Sequence, residues 1–142
     1  MATFEISGVE EIRRAFAVLP KRVASKVIRQ SIRNALKPVL LDAKRRCPVA
    51  TGRLRDSIVL RASPRRRAGV IALEIRTGPG QFEGETYYGG MVEYGTSKMP
   101  ARPFMRPAYD ANKVTAKAAA TRMIREGVDR EARALGLTVQ GS

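Results

Sequence analysis

Histidine and tryptophan are both missing from the 142 residues, and cysteine occurs once, at Cys47. Without histidine there is no usual general base, no orienting member of a nucleophilic triad and no imidazole zinc ligand. A lone cysteine forms no intrachain disulfide and builds no thiolate metal cluster. Enzymatic chemistry is therefore not expected. The one enzymatic alternative is a hydrolase working through Glu83, Glu85 and Glu93, whose spacing follows no metal-binding pattern. Aromatic residues are also scarce, with four Tyr and four Phe, so the expected core is modest. No apolar run approaches the roughly 18 residues of a membrane-spanning helix. Glu5, Glu10 and Glu11 stand where a signal peptide would carry basic and then apolar residues. These features predict a chain of the cytosol, or of an assembly built there, with no membrane partner.

Acidic residues are outnumbered as well: 13 Asp and Glu stand against 27 Lys and Arg, for a net charge of +14. The excess lies in the first half. Residues 21–46 hold nine Lys and Arg against the single Asp42. A block of this kind suits a polyanion or an acidic protein partner, with a plain solvated surface as the alternative.

The length fits one domain, expected over residues 1–136, with residues 137–142 a C-terminal tail. Thr3–Ile6 alternates like a short strand, and Ser7-Gly8-Val9-Glu10 matches a capping box. Val9, Ile12, Phe16 and Leu19 then follow at helical spacing as far as Pro20. A second helix is predicted from about Lys21 to about Arg46. Ala24, Ile28, Ile32, Ala35, Val39 and Ala43 share one side of it, while Arg22, Lys26, Arg29, Arg33, Lys37 and Lys44 form a stripe roughly 80° wide. Pro38 inside this helix predicts a kink or a break, and Pro48 a stop.

Residues 47–58 read as a turn leading into a strand, with Gly52 supplying a backbone angle that other residues resist. Ile58, Leu60 and Ala62, then Ile71, Leu73 and Ile75, alternate as two strands that pair antiparallel through a basic tip at Arg65, Arg66 and Arg67. Residues 78–90 hold five glycines without periodicity and are expected to be a long loop. Its glycines lack the phosphate-loop pattern. Tyr87–Tyr94 should return to the core as a strand or a short helical turn. A last, alanine-rich helix is predicted from about Pro107 to about Leu135, weakened by Gly127 and closed by Gly136.

Two segments carry the most information. The first is Thr51-Gly52-Arg53-Leu54-Arg55-Asp56-Ser57-Ile58. The second runs from Val92-Glu93-Tyr94-Gly95-Thr96 to Ala101-Arg102-Pro103-Phe104-Met105-Arg106-Pro107-Ala108. In that order, behind a long helix ending in Ala43-Lys44-Arg45-Arg46-Cys47-Pro48, they resemble the small neck and tail-completion (head–tail joining) proteins of long-tailed bacteriophages and related gene transfer agents. The resemblance runs from about residue 5 to about residue 125.

The resemblance implies an α+β fold, a small antiparallel sheet packed against a long helix of the first half and a C-terminal helix. It also implies a structural virion subunit without enzymatic activity or cofactor. Such a subunit would form a homo-oligomeric ring at the head–tail junction, touching neighbouring connector and tail proteins. Non-specific contact with packaged DNA would be a further consequence. By position, Thr51, Gly52, Leu54, Ser57 and Ile58 match the family's first element, and Glu93, Tyr94, Gly95, Thr96, Pro103, Phe104 and Pro107 its second.

Read from the residues alone, Gly95 turns the chain and Thr96 caps neighbouring backbone groups. Pro103 and Pro107 hold Arg102 and Arg106 extended. Tyr94 and Phe104 are core residues or interface anchors, and Glu93 is an arginine's partner or a solvated charge. Either the helical stripe or Arg65, Arg66 and Arg67 could face DNA or a protein partner. A free-standing, non-specific nucleic-acid-binding protein is the competing function. It lacks the zinc ligands, helix-turn-helix or aromatic stacking strip usual among such proteins.

Overall fold

The computed structural model describes residues 16–17, 19–49, 52–63, 70–78 and 85–136. The proposed strand at Thr3–Ile6, the capping box at Ser7–Glu10, Thr51, the arginine tip and the tail all lie outside them.

Helix α1 spans Lys21–Arg46 without interruption. Pro38 therefore does not break it. Proline lacks a donor, so only the hydrogen bond to Asn34 is lost, and both residues lie on the exposed side. The Cys47 amide closes the helix by donating to the Ala43 carbonyl. The buried face holds Val27, Ser31, Ile32, Ala35, Leu36, Val39 and Ala43. It is wider than the apolar periodicity alone implies, because two different layers cover it.

The first layer is helix α4, Met105–Ala134. Its partner positions run in the opposite direction to those of α1: Gly127 lies against Val27 and Asn112 against Asp42. Gly127 has a packing reason. A Cβ there would stand 2.7 Å from Val27 Cγ1, so the missing side chain lets the two helices approach closely. Alanine should gain helix propensity at this position and yet lower stability by about 1–3 kcal/mol through overpacking. Urea unfolding of Gly127→Ala, alone and combined with Val27→Ala, checks this: the second substitution should restore part of the loss.

The second layer is a two-stranded antiparallel sheet of β1, Ile58–Ala62, and β2, Leu73–Thr77. Ile58 pairs with Thr77, Leu60 with Ile75 and Ala62 with Leu73. Leu60, Leu73 and Ile75 pack on the flank of α1 formed by Ile28, Ile32, Leu36 and Val39. The expected antiparallel α+β arrangement is thus present. Near the start of α1, Leu19 is buried with Val27, Ile124, Val128 and Ala132, and Phe16 packs beside them.

One expectation gains detail and another needs correction. The turn expected ahead of the strand closes with a single-turn helix, α2, Arg53–Ser57, and the strand begins at Ile58. Leu54 and Ile58, four apart, are both buried, and the Ser57 hydroxyl donates to the Leu54 carbonyl at 2.7 Å. That spacing satisfies a helical turn as readily as a strand. Residues 85–90, by contrast, are not loop but belong to helix α3, Glu85–Tyr94, the helical alternative expected for Tyr87–Tyr94. Gly89 lies in this helix because it is pressed against β2, where a Cβ would meet Thr77 Oγ1 at 2.7 Å.

Candidate functional site

The second signature segment forms a braced corner between α3 and α4. Helix α3 ends at Tyr94, and Gly95 follows at φ +76°, its amide donating to the Met91 carbonyl at 2.8 Å. Only a glycine fits comfortably here. A Cβ would stand 2.7 Å from the Ala101 backbone nitrogen, in a region of backbone space that side chains resist. Thr96 then acts as expected. Its Oγ1 accepts from the Lys98 and Met99 amides at 3.2 and 3.1 Å, and its own amide donates to the Met99 carbonyl. The Arg102 amide donates to the Val92 carbonyl at 2.7 Å, which folds the segment back over the end of α3.

Glu93 holds this corner to the next helix. Its side chain is buried, the residue being 4% exposed. Oε2 accepts from the amides of Phe104 at 2.7 Å and Met105 at 3.0 Å, and Oε1 accepts from the Arg106 amide at 3.0 Å. The next residue is Pro107, which has no amide hydrogen, and Ala108 makes the first intrahelical bond, to Phe104. Every donor that a helix leaves unpaired at its start is therefore satisfied or absent. The carboxylate also sits at the positive end of the helix dipole. Burial by itself pushes the Glu93 carboxyl up. The Met105, Phe104 and Arg106 amides and the Arg106 guanidinium outweigh it, and the acid is held below its ordinary value.

The choice between an arginine's partner and a solvated charge thus has a different answer. Glu93 is chiefly a helix cap reaching across eleven residues, with Arg106 Nε a longer contact at 3.5 Å. Sequence reasoning missed this role because cap rules look one turn ahead. The available signal was negative: Phe104 holds the cap position and makes no side-chain cap bond, so the donors needed a distant acceptor.

Phe104 is fully buried, among Ala43, Cys47, Leu54, Ile58, Val92 and Ala108. Tyr94 is not. It is 64% exposed, since turning Glu93 inward rotates its neighbour by about 100° toward solvent. The Arg106 guanidinium carbon lies 5.0 Å from the centre of the Tyr94 ring, a cation–π contact. Arg106 is helical rather than extended, because Pro107 falls in the first turn, where proline is compatible with a helix. Arg102 and Pro103 remain outside the helix and exposed.

The first signature segment lies beneath the same cluster. Gly52 precedes α2 in the left-handed region at φ +82°, as expected, and Leu54 and Ile58 point into the core that holds Phe104. Ser57 offers its carbonyl to the Gly78 amide. The two motifs are brought together by a shared core, not by shared chemistry. Cys47 belongs to that core; burial pushes its thiol up, against the opposing charge of Arg55, so it is a poor nucleophile.

The basic stripe is separate from this corner. Arg22, Lys26, Arg29, Arg33 and Lys37 are all exposed on α1. With Lys21, Ser25 and Gln30, most of them line an open groove of about 630 Å³. At the other end of α1, Asp42 gathers Arg45, Arg46 and Asn112. Arg45's guanidinium holds the Asp42 carboxyl below the ordinary range, with partial burial opposing. Among the described residues no group of His, Cys, Asp and Glu is arranged to hold a metal ion, and no helix is long and apolar enough to cross a membrane.

No curated protein and no solved structure matches the chain. A family model does, over residues 10–95, more than half of the 142. The match takes in the first motif, the strand pair and Val92–Gly95; the Phe104 half of the corner lies beyond it. On that match the chain belongs to the HK97-gp10-like family, described as "Bacteriophage HK97-gp10, putative tail-component".

Proposed function

We propose that the chain is a structural virion subunit that forms part of an oligomeric ring at the head–tail junction, assembled in the bacterial cytoplasm and taking part in tail completion. Residues 1–136 act as one building block, with no catalytic step and no cofactor. The observation that carries this reading is the braced corner. Glu93, Gly95, Thr96 and Phe104 spend their interactions on fixing a short loop and a helix start. What they present outward is Tyr94 with Arg106 against its ring, beside Arg102 and Pro103. Tyrosine and arginine on a rigid base are the residue types that dominate protein–protein contacts. The neighbours they would meet are further copies of this chain and adjoining connector and tail proteins.

Tyr94→Ala tests this. Its side chain supports no core contact, so thermal unfolding of the monomer should be within about 0.5 kcal/mol of the parent. Light scattering on the purified chain, and symmetry-resolved imaging of particle necks, should show a closed ring for the parent and its loss in the variant. A parent chain that stays monomeric and is missing from the neck would end the proposal.

A further inference from the structure

The corner does not use the largest charge feature among the described residues, the exposed face of α1. We propose that Arg22, Lys26, Arg29, Arg33 and Lys37 form a sequence-independent binding surface for the phosphate backbone of duplex DNA. The choice of DNA over another polyanion rests on the virion role proposed above; the choice of polyanion over protein rests on the face itself.

Three observations support a polyanion. First, the five cations are exposed and none has a carboxylate partner among the described residues, whereas Arg45 and Arg46 further along the same helix are held by Asp42. Second, among the described residues the groove along this face is lined by side chains that all donate hydrogen bonds, Ser25 and Gln30 standing between the Lys and Arg. No aromatic or large aliphatic group stands in the stripe. Leu41, the one exposed large hydrophobic of α1, lies roughly 40° beyond its edge on the helical wheel. Protein interfaces are centred on apolar anchors with charges at the rim, and the described residues of this face are charged or polar.

Third, the arrangement works against the helix that carries it. Arg22 and Lys26, Arg29 and Arg33, and Arg33 and Lys37 are like charges four residues apart, which oppose helix formation. Lys21 and Arg22 occupy a first turn that contains no acid and has no side-chain cap, where cations face the positive end of the dipole. Among the described residues nothing in the fold gives a reason for this pattern, and a bound anion relieves all of it. The geometry also fits. Arg22 to Lys37 covers about 22 Å along the axis, with a cation every turn or so. Duplex DNA carries about one charge per 1.7 Å of its axis, so each cation finds a phosphate in reach without reading a base.

Fluorescence anisotropy of the full chain with a random-sequence duplex of about 30 base pairs, across a salt series, tests the proposal. The logarithm of the binding constant should fall against the logarithm of salt with a slope of about −4 to −5, one phosphate for each of the five cations. The triple variant K26Q/R29Q/R33Q should flatten that slope by about three and weaken binding by at least tenfold near 0.1 M salt, with an equal or higher Tm. The matched variant K113Q/R122Q/R133Q on α4, with the same loss of charge, should bind nearly as the parent does.

Unchanged binding by the first variant, or an equal loss in the second, overturns the assignment. So does a parent chain that binds poly-glutamate as tightly as DNA at equal charge, which assigns the face to an acidic protein. Light scattering on the same samples keeps the two proposals apart. A chain that never forms a ring yet binds DNA through α1 counts against the ring and supports the phosphate face.

Discussion

Glu93→Ala should lower folding stability by about 3–5 kcal/mol, because each buried donor left without an acceptor costs ~1–3 kcal/mol. The Phe104, Met105 and Arg106 amides all depend on the one carboxylate. Water entering the vacated space should recover part of the sum. Urea unfolding followed by circular dichroism measures the loss; a change under about 1 kcal/mol would mean that the corner holds itself without the cap. Glu93→Gln preserves the shape but turns an amide donor toward donors, so it should fall between the parent and Glu93→Ala.

The pH dependence supplies a second readout of the same group. Burial raises the Glu93 carboxyl, but the three amides and Arg106 more than reverse this, so it titrates below its ordinary value. The unfolded chain therefore takes up the proton at higher pH than the folded one. The stability Glu93 contributes is complete well above the unfolded glutamate pKa of about 4.3. It is lost as pH falls from there through the lower folded value. The stability gap between the parent and Glu93→Gln should accordingly narrow between about pH 6 and about pH 3. Asp42, held low chiefly by Arg45, adds acid sensitivity that both proteins share. A gap that stays constant over this range would show that Glu93 is not working as an ionised cap.

Phe104→Ala should be as damaging, at about 3–5 kcal/mol, from lost transfer energy and the cavity left behind. Phe104 is fully buried, and its cluster joins α1 through Ala43, α2 through Leu54, β1 through Ile58, α3 through Val92 and α4 through Ala108. The cavity cannot close without moving several elements at once, so the upper part of the range is expected. Phe104→Leu should retain most of the stability. A monomer of Phe104→Ala that unfolds at parental urea concentrations would contradict the core assignment and return Phe104 to the assembly surface.

The order and type of most elements could be read in advance where the sequence signal is local. The α1 pattern of apolar positions three and four apart, the alternation in Ile58–Ala62 and Leu73–Thr77, and the alanine-rich α4 each carry their own periodicity. The left-handed turn at Gly52 was legible for the same reason: glycine removes a steric penalty at its own position. Glycine content misled at Glu85–Gly90. There Gly89 answers a close approach to Thr77 rather than a need for chain freedom.

By itself, then, the sequence determined the α+β class, the antiparallel pairing, the basic face of α1 and the likeness to a phage tail-component family. Tertiary structure decided what individual residues of those motifs do. Glu93 became a cap because α3 delivers its carboxylate to donors eleven to thirteen residues away. Tyr94 went outward because one helical step separates it from the inward-facing Glu93, and Phe104 went inward where five elements meet. Such roles depend on which distant groups arrive beside a side chain. Periodicity records only which face of its own element a residue occupies.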